Sequence, residues 1–302
     1  TKVFSPPAGD GIQIHQMRDA ITIDTGVLRF VVNKGSRRFV ENITLAGEEE
    51  PLGQQIAVEV VTRDGWARTH FLAVNEEIAA ETVGPLRAAV RCSGHLIDGD
   101  RVFGRFTCRI HAYWGKTYLR IFFRIFNDTD VPAQLVEQFL LRLRTPLVDG
   151  EVVLGDQKLI TTTVETGRLL VRQHRHDAYE IFDGNDVRRA GGEHWQGSIS
   201  LQTQAHGVSG QVRHFAQQYP KRMWAGQGGQ VVFDLFTPTI EYEQYVMTRG
   251  EAKRHELLLY FHKGKVDQPR IQATFQTFET PPILISPCLL YTSDAADEED
   301  SV

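Results

Sequence analysis

Long apolar runs are absent from this chain of 302 residues. None approaches the roughly 18 consecutive residues that a membrane-spanning helix needs, so no membrane partner is expected. A basic excess is missing too. The formal net charge is −5 with acids and bases interspersed, which lacks the electrostatic footprint of nucleic-acid binding. Cysteine is scarce, with three in the chain, and no zinc-type spacing occurs. Nucleophile-elbow, phosphate-loop and dinucleotide-binding signatures are lacking, as are internal repeats. No segment shows a sustained apolar stripe at three-to-four-residue spacing, so few helices are expected and those short, one of them near 212–218.

Both ends depart from an ordinary open reading frame. The chain starts at Thr1 without a charged-then-apolar leader, as a mature or truncated product would. The stretch Cys288-Leu289-Leu290-Tyr291-Thr292-Ser293-Asp294-Ala295-Ala296-Asp297-Glu298 resembles one reading frame of a sequencing-library adapter. Residues 288–302 are therefore expected to be artefactual and outside the fold, and the chain is expected to be a fragment whose natural gene continued past Pro287. Cys92 and Cys108 then remain as the informative cysteines. They flank the turn Asp98-Gly99-Asp100-Arg101 almost symmetrically, so a hairpin brings them together. Two small buried side chains are favoured over a cross-strand disulfide.

Period-two alternation dominates what is present. Ile21 and Ile23 precede Val27-Leu28-Arg29-Phe30-Val31-Val32; Phe106, Cys108, Ile110 and Ala112 alternate with Arg105, Thr107, Arg109, His111 and Tyr113. Leu119, Ile121, Phe123 and Ile125 alternate with Arg120, Phe122, Arg124 and Phe126. The second face is thus aromatic or arginine, which suits a covered sheet or a groove packed by long arginine stems. Turn signals such as Lys34-Gly35, Ala46-Gly47, Asp64-Gly65 and Asp183-Gly184 recur at sheet-like spacing. The expected class is all-β, a large antiparallel β-sandwich with few short helices. Residues 1–18 read as a linker or the end of a preceding domain, 19–280 as the sandwich, and 281–302 as a tail; an internal subdivision would fall near 130–150.

Chemistry-bearing residues concentrate in Arg172-Gln173-His174-Arg175-His176-Asp177-Ala178-Tyr179-Glu180 and in Glu193-His194-Trp195. On a strand, His174 and His176 share one face, which can turn two imidazoles into a cleft. A solvated strand edge is the plain alternative. Asp183, Asn185 and Asp186 offer oxygens to calcium, but they lack the full calcium-loop pattern and a tight turn explains them better. Gln217, Gln218, Tyr219 and Lys221 combine donors, acceptors and an aromatic face, the mixture a sugar ring needs, and Trp195 offers a stacking surface. Trp66 and Trp114 read as structural, Trp224 as core packing, and His255 and Glu256 as exposed edge residues.

Several segments in order resemble one family: Ile23-Asp24-Thr25-Gly26-Val27-Leu28-Arg29-Phe30, Gly84-Pro85-Leu86-Arg87-Ala88-Ala89-Val90-Arg91, and Phe106-Thr107-Cys108-Arg109-Ile110-His111-Ala112-Tyr113. With Gly207-Val208 through Gln217-Gln218-Tyr219-Pro220-Lys221, and Arg249-Gly250-Glu251-Ala252-Lys253-Arg254-His255-Glu256-Leu257, the chain is similar to the exo-acting rhamnogalacturonan lyase-like family. The resemblance implies a β-sandwich of the supersandwich, galactose-mutarotase-like type, lying between an N-terminal β-domain and a C-terminal α/α toroid that this chain lacks. It implies an extracellular or periplasmic protein whose partner is an oligo- or polysaccharide. The implied activity is β-elimination on a uronate-containing glycan, with no certain cofactor and a divalent cation such as calcium as an option. That chemistry needs a base for the C5 proton, a cation for the carboxylate and an acid for the leaving oxygen. His174 or His176, Arg175 and Tyr179 are the catalytic candidates; His194, Trp195, Gln217, Gln218, Tyr219 and Lys221 are the substrate-binding ones. A glycoside hydrolase, which needs two facing carboxylates, and a noncatalytic carbohydrate-binding sandwich are the alternatives. The isolated chain is expected to turn over little or nothing.

Overall fold

A computed structural model describes residues 11–155, 159–164, 167–239 and 242–282. The tail expectations for 288–302 lie outside these residues. Alternation and glycine-marked turns produce a first meander of β1 (Gln13–Gln16), β2 (Ala20–Asp24), β3 (Leu28–Asn33), β4 (Val40–Leu45) and β5 (Gly53–Asp64). The longest strands follow: β6 (Ala67–Val83), β7 (Arg87–Asp98), β8 (Arg101–Tyr113), β9 (Tyr118–Phe126) and β10 (Ala133–Arg144). Shorter ones come next: β11 (Glu151–Gly155), β12 (Leu159–Thr163), β13 (Leu169–Arg175), β14 (Ala178–Phe182), β15 (Arg188–Gly192) and β16 (Ser198–Gln202). The chain closes with β17 (His206–Val212), β18 (Lys221–Gly226), β19 (Gln230–Phe236), β20 (Tyr245–Thr248), β21 (Ala252–Lys263) and the helix α1 (Gln268–Glu279).

Every pairing is antiparallel. One sheet runs β15-β14-β13-β18-β19-β10-β5-β4-β3-β2-β1. The other runs β6-β7-β8-β9-β21-β17-β16-β11-β12. β5 joins them: one edge pairs with β10, while the other pairs first with β4 and then with β6. The sheet already begins at Gln13, within the stretch read from sequence as a linker.

The two sheets share one apolar core. Phe123 of β9 links them, with its ring centroid 5.4 Å from Phe106 in its own sheet and 5.6 Å from Phe139 in the other. Aromatic pairs in this range add about 0.5–1.5 kcal/mol beyond the area they bury. Cys92 and Cys108 stand directly opposite each other on β7 and β8, both buried and both free thiols. The alternation in β8 and β9 therefore had one meaning: apolar side chains fill the core, and the arginines line the outer face.

Two expectations are corrected. Residues 213–218 form turns, not a helix. The helix lies instead at 268–279, where Ile271, Phe275 and Phe278 recur at helical spacing and pack on Leu258, flanked by Tyr118 and Tyr260. Trp66 is almost fully exposed at the tip of the β5–β6 hairpin, because the Asp64-Gly65 turn carries it past the end of the sheet.

Candidate functional site

The segment between β17 and β18 shapes a cleft because it is tied at both ends. At its start the His214 amide donates to the Glu279 carboxylate at 3.1 Å, and Arg213 reaches Glu256 at 3.1 Å. Glu256 also pairs with Arg120, so it bridges two guanidiniums at the edge of the core. At its far end a cis Tyr219–Pro220 bond leads into Lys221. The Lys221 side chain is fully buried, and its Nζ donates to Gln218 Oε1 at 2.7 Å and to His255 Nδ1 at 2.9 Å. His255 Nδ1 also stands 3.2 Å from Gln218 Oε1, so the three side chains close a triangle of polar groups.

Burial dictates the protonation here. Removal from water pushes Lys221 down to about 7, with the Glu279 charge opposing weakly. His255 is held well below the ordinary histidine value, first by burial and then by the charges of Lys221 and Lys253. His255 and Glu256 are thus not the exposed edge residues their sequence context implied. β21 pairs with β9 from Ala252 to Tyr260 and with β17 only from Leu257 onward, and at His255 it is Lys221 and Gln218 of the β17–β18 segment that cover the ring.

Over this base lies a cavity of about 520 Å³ between the two sheets. Phe139, Phe236, Tyr219, Tyr242 and Tyr245 supply aromatic walls. Gln217, Gln218 and Gln244 supply amides, and Lys253, Arg254 and His255 supply nitrogen groups. No carboxylate is among its described lining residues. Tyr219 and Tyr242 meet edge-on at 6.1 Å, and Tyr245 donates its hydroxyl to Glu251. Cavities of this size, mostly apolar with a few convergent polar groups, are typical of small-molecule sites.

The sequence-derived candidates fall into two groups around this cavity. Gln217, Gln218 and Tyr219 line it, whereas Lys221 lies beneath and acts on it through Gln218 and His255. Arg175 and His176 occupy the tip of the β13–β14 hairpin, both exposed, and the His176 ring stands 6.2 Å from Tyr219. His174 does not share the solvent-facing position of His176: the latter falls in the turn, and His174 Nδ1 is buried with no hydrogen-bond partner. Tyr179 packs edge-on against the buried Trp195 at 5.3 Å, so Trp195 has no free face for a sugar. Gln173 stitches these pieces together, donating to the Glu193 carbonyl at 2.7 Å and accepting from the Trp195 amide at 2.9 Å. His194 is exposed beside them, 4.0 Å from the Glu193 carboxylate.

Sequence reasoning missed Tyr242, Gln244, Tyr245, Lys253 and Arg254, which reach the cavity from β20, β21 and the loop before them. Only the Lys253-Arg254-His255 run carried a local signal, a basic cluster opening an apolar strand. A calcium site at Asp183 does not fit. The carboxylate accepts from the amides of Val187 and Asn185 and from Arg189, which together hold it below its ordinary value, with Val187 the largest cause. Among the described residues no group of three or more His, Cys, Asp or Glu could hold a metal ion.

These features define the class first: an antiparallel two-sheet β-sandwich with a polar-aromatic cleft between its sheets. Residues 12–153 match the family model described as the PcRGLX-like protein central beta sandwich domain. This stretch is therefore the central sandwich of a rhamnogalacturonan lyase-like protein, as the sequence resemblance implied. No curated protein matches the chain. Among solved structures it is similar to the GH36 alpha-galactosidase AgaB from Geobacillus stearothermophilus, with TM-score 0.52, 9% identity, and coverage of 84% of this chain and 41% of that one. A putative aldose 1-epimerase from Klebsiella pneumoniae gives TM-score 0.48 at 10% identity, covering 85% of this chain and 82% of that one. At such identities the likeness is one of fold alone.

Proposed function

We propose that this sandwich belongs to a polysaccharide lyase-like protein that acts on rhamnogalacturonan or a related uronate-containing glycan by β-elimination. The observation that carries the reading is the cleft itself, with aromatic walls, amides and the Lys253 ammonium over the Tyr245 ring, and no carboxylate among its described lining residues. A pyranose stacks on such rings, and a uronate carboxylate is neutralised by such a cation. Hydrolysis by an acid pair would need two carboxylates facing one bond, which favours the lyase reading over the hydrolase one at this cleft.

On this reading His176 is the base, with Arg175 beside it for the carboxylate. Tyr219 stands nearer the cavity than Tyr179 and takes the role of acid. Lys221 is a positioning residue that holds Gln218 and His255. A helical toroid of the same protein would complete the site, and an extracellular or periplasmic location follows from the proposed glycan. Among the described residues no helix is long and apolar enough to cross a membrane.

The test is binding of rhamnogalacturonan oligosaccharides to this chain by calorimetry, together with the ultraviolet absorbance of unsaturated uronate. Binding with little turnover is expected, and Tyr219→Ala should weaken it about tenfold through loss of one stacked ring. Release of reducing ends without the absorbance would favour hydrolysis. Absence of binding to any uronate oligosaccharide would refute the proposal.

A further inference from the structure

The outer face of β8, β9 and β21 carries cations that the cleft does not explain. Register sets Arg254 directly opposite Arg124, and Arg124 directly opposite Thr107. Most neighbouring arginines are matched: Arg109 reaches Glu81 at 2.6 Å, Arg105 pairs with Asp128 and Arg120 with Glu256. Arg124 and Arg254 are both exposed, and neither meets a carboxylate among the described residues. Like charges directly opposite each other on adjacent strands destabilise a sheet, so this pair is costly unless an anion sits on it.

A hollow of about 510 Å³ opens at that point, left free by the short side chains of Thr107 and Ala252. Phe122 forms part of its wall, with the Arg254 guanidinium 4.9 Å and the Arg120 guanidinium 4.8 Å from the ring centre, and His111 at 4.9 Å between ring centroids. His111 reports the local field. Its ring is pushed below the ordinary value first by burial and then by the charges of Arg87, Arg120 and Arg109, with Glu81 alone opposing. A net charge of −5 makes this a local feature, not a bulk property of the chain. The hollow and the cleft also share Lys253 and Arg254 at the start of β21, so the two are contiguous.

We propose that this outer hollow binds the carboxylates of an acidic oligosaccharide, a uronate chain that leaves the cleft over the start of β21. The identity of the ligand rests on the lyase-like reading; the anion site rests on the unmatched arginine pair. Arg124 lines the hollow and not the cleft, which separates the two sites experimentally.

The experiment is calorimetry on this chain with a galacturonate hexamer, a galacturonate dimer and linear polyphosphate at low salt. Arg124→Gln should weaken the hexamer about fivefold to tenfold, the loss of one exposed charge-assisted contact, and leave the dimer unchanged. Arg124→Lys should restore part of the loss, and 0.15 M salt should narrow the difference. A melting temperature of unliganded Arg124→Gln at or slightly above the wild-type value shows the fold intact and the like-charge pair relieved. Hexamer affinity unchanged by Arg124→Gln overturns the site. Polyphosphate binding as tightly as the hexamer, with the same dependence on Arg124, overturns the uronate assignment. If the dimer fails to bind while the hexamer still depends on Arg124, the cleft reading fails and the outer site stands.

Discussion

Replacing Lys221 with methionine should change how the stability of this protein depends on pH. The folded protein holds Lys221 near 7 because its ammonium is stripped of water, whereas an unfolded chain keeps that proton up to the ordinary lysine value of 10.5. Folding at pH 8 or 9 therefore releases a proton, and stability rises as pH increases through this window. With these two values the cost of burying the group falls from about 4 kcal/mol at pH 7 to about 2 kcal/mol at pH 9. The wild-type protein should thus gain about 2 kcal/mol over the window from this residue alone. Asp234, which burial raises to about 7, contributes equally to both proteins and cancels in the comparison.

Methionine retains most of the volume and removes the charge, but it takes the Nζ donor from Gln218 Oε1 and His255 Nδ1, which keep only each other at 3.2 Å. Each buried acceptor left open costs about 1–3 kcal/mol. That loss is the same at every pH in the window, so Lys221→Met should fall about 2 kcal/mol further behind the wild type at pH 9 than at pH 7. Urea denaturation at pH 7, 8 and 9 measures both slopes, provided the m-values agree. Parallel slopes would mean that Lys221 keeps its proton in the folded state, and the account of the cleft base would be wrong.

Four further outcomes follow from the packing and the ion pairs. Glu256→Ala should cost about 3 kcal/mol, because it strands Arg120 and Arg213 at the edge of the core. By contrast, Asp24→Ala at the exposed Arg29 pair should shift stability by under about 1 kcal/mol, and chemical denaturation of both variants checks the ratio. Phe275→Ala should cost about 3 kcal/mol and free α1 from Leu258, seen as faster amide exchange in 268–279 with β8 and β9 still protected. Cys92 and Cys108 should resist alkylation in the native protein and react after denaturation; rapid native labelling of either would contradict their burial.

Much of the fold was legible because a strand with one buried face writes its own pattern. Phe106-Cys108-Ile110-Ala112 and Leu119-Ile121-Phe123-Ile125 announced both their strands and their inward faces, and the glycine turns marked their ends. The helix α1 was overlooked because three apolar residues in a polar segment make a faint stripe, and it holds by docking on β21 more than by its own propensity. The cleft was only partly legible. Gln217, Gln218 and Tyr219 stood out as a local mixture of sugar-binding groups, whereas Tyr242, Tyr245 and Lys253 reach the same space from later strands.

Sequence alone determined the all-β class, the direction in which each long strand buries its side chains, and the family of residues 12–153. These are properties of short windows and their order, which a linear pattern records. Tertiary structure decided the rest. It made Lys221 a buried group under the cleft, covered His255 with Lys221 and Gln218 of the β17–β18 segment, and brought His176 to Tyr219. It also set Arg124 against Arg254 with no carboxylate between them. Each of these facts depends on which strands become neighbours and in what register, and residues distant in the chain settle that jointly.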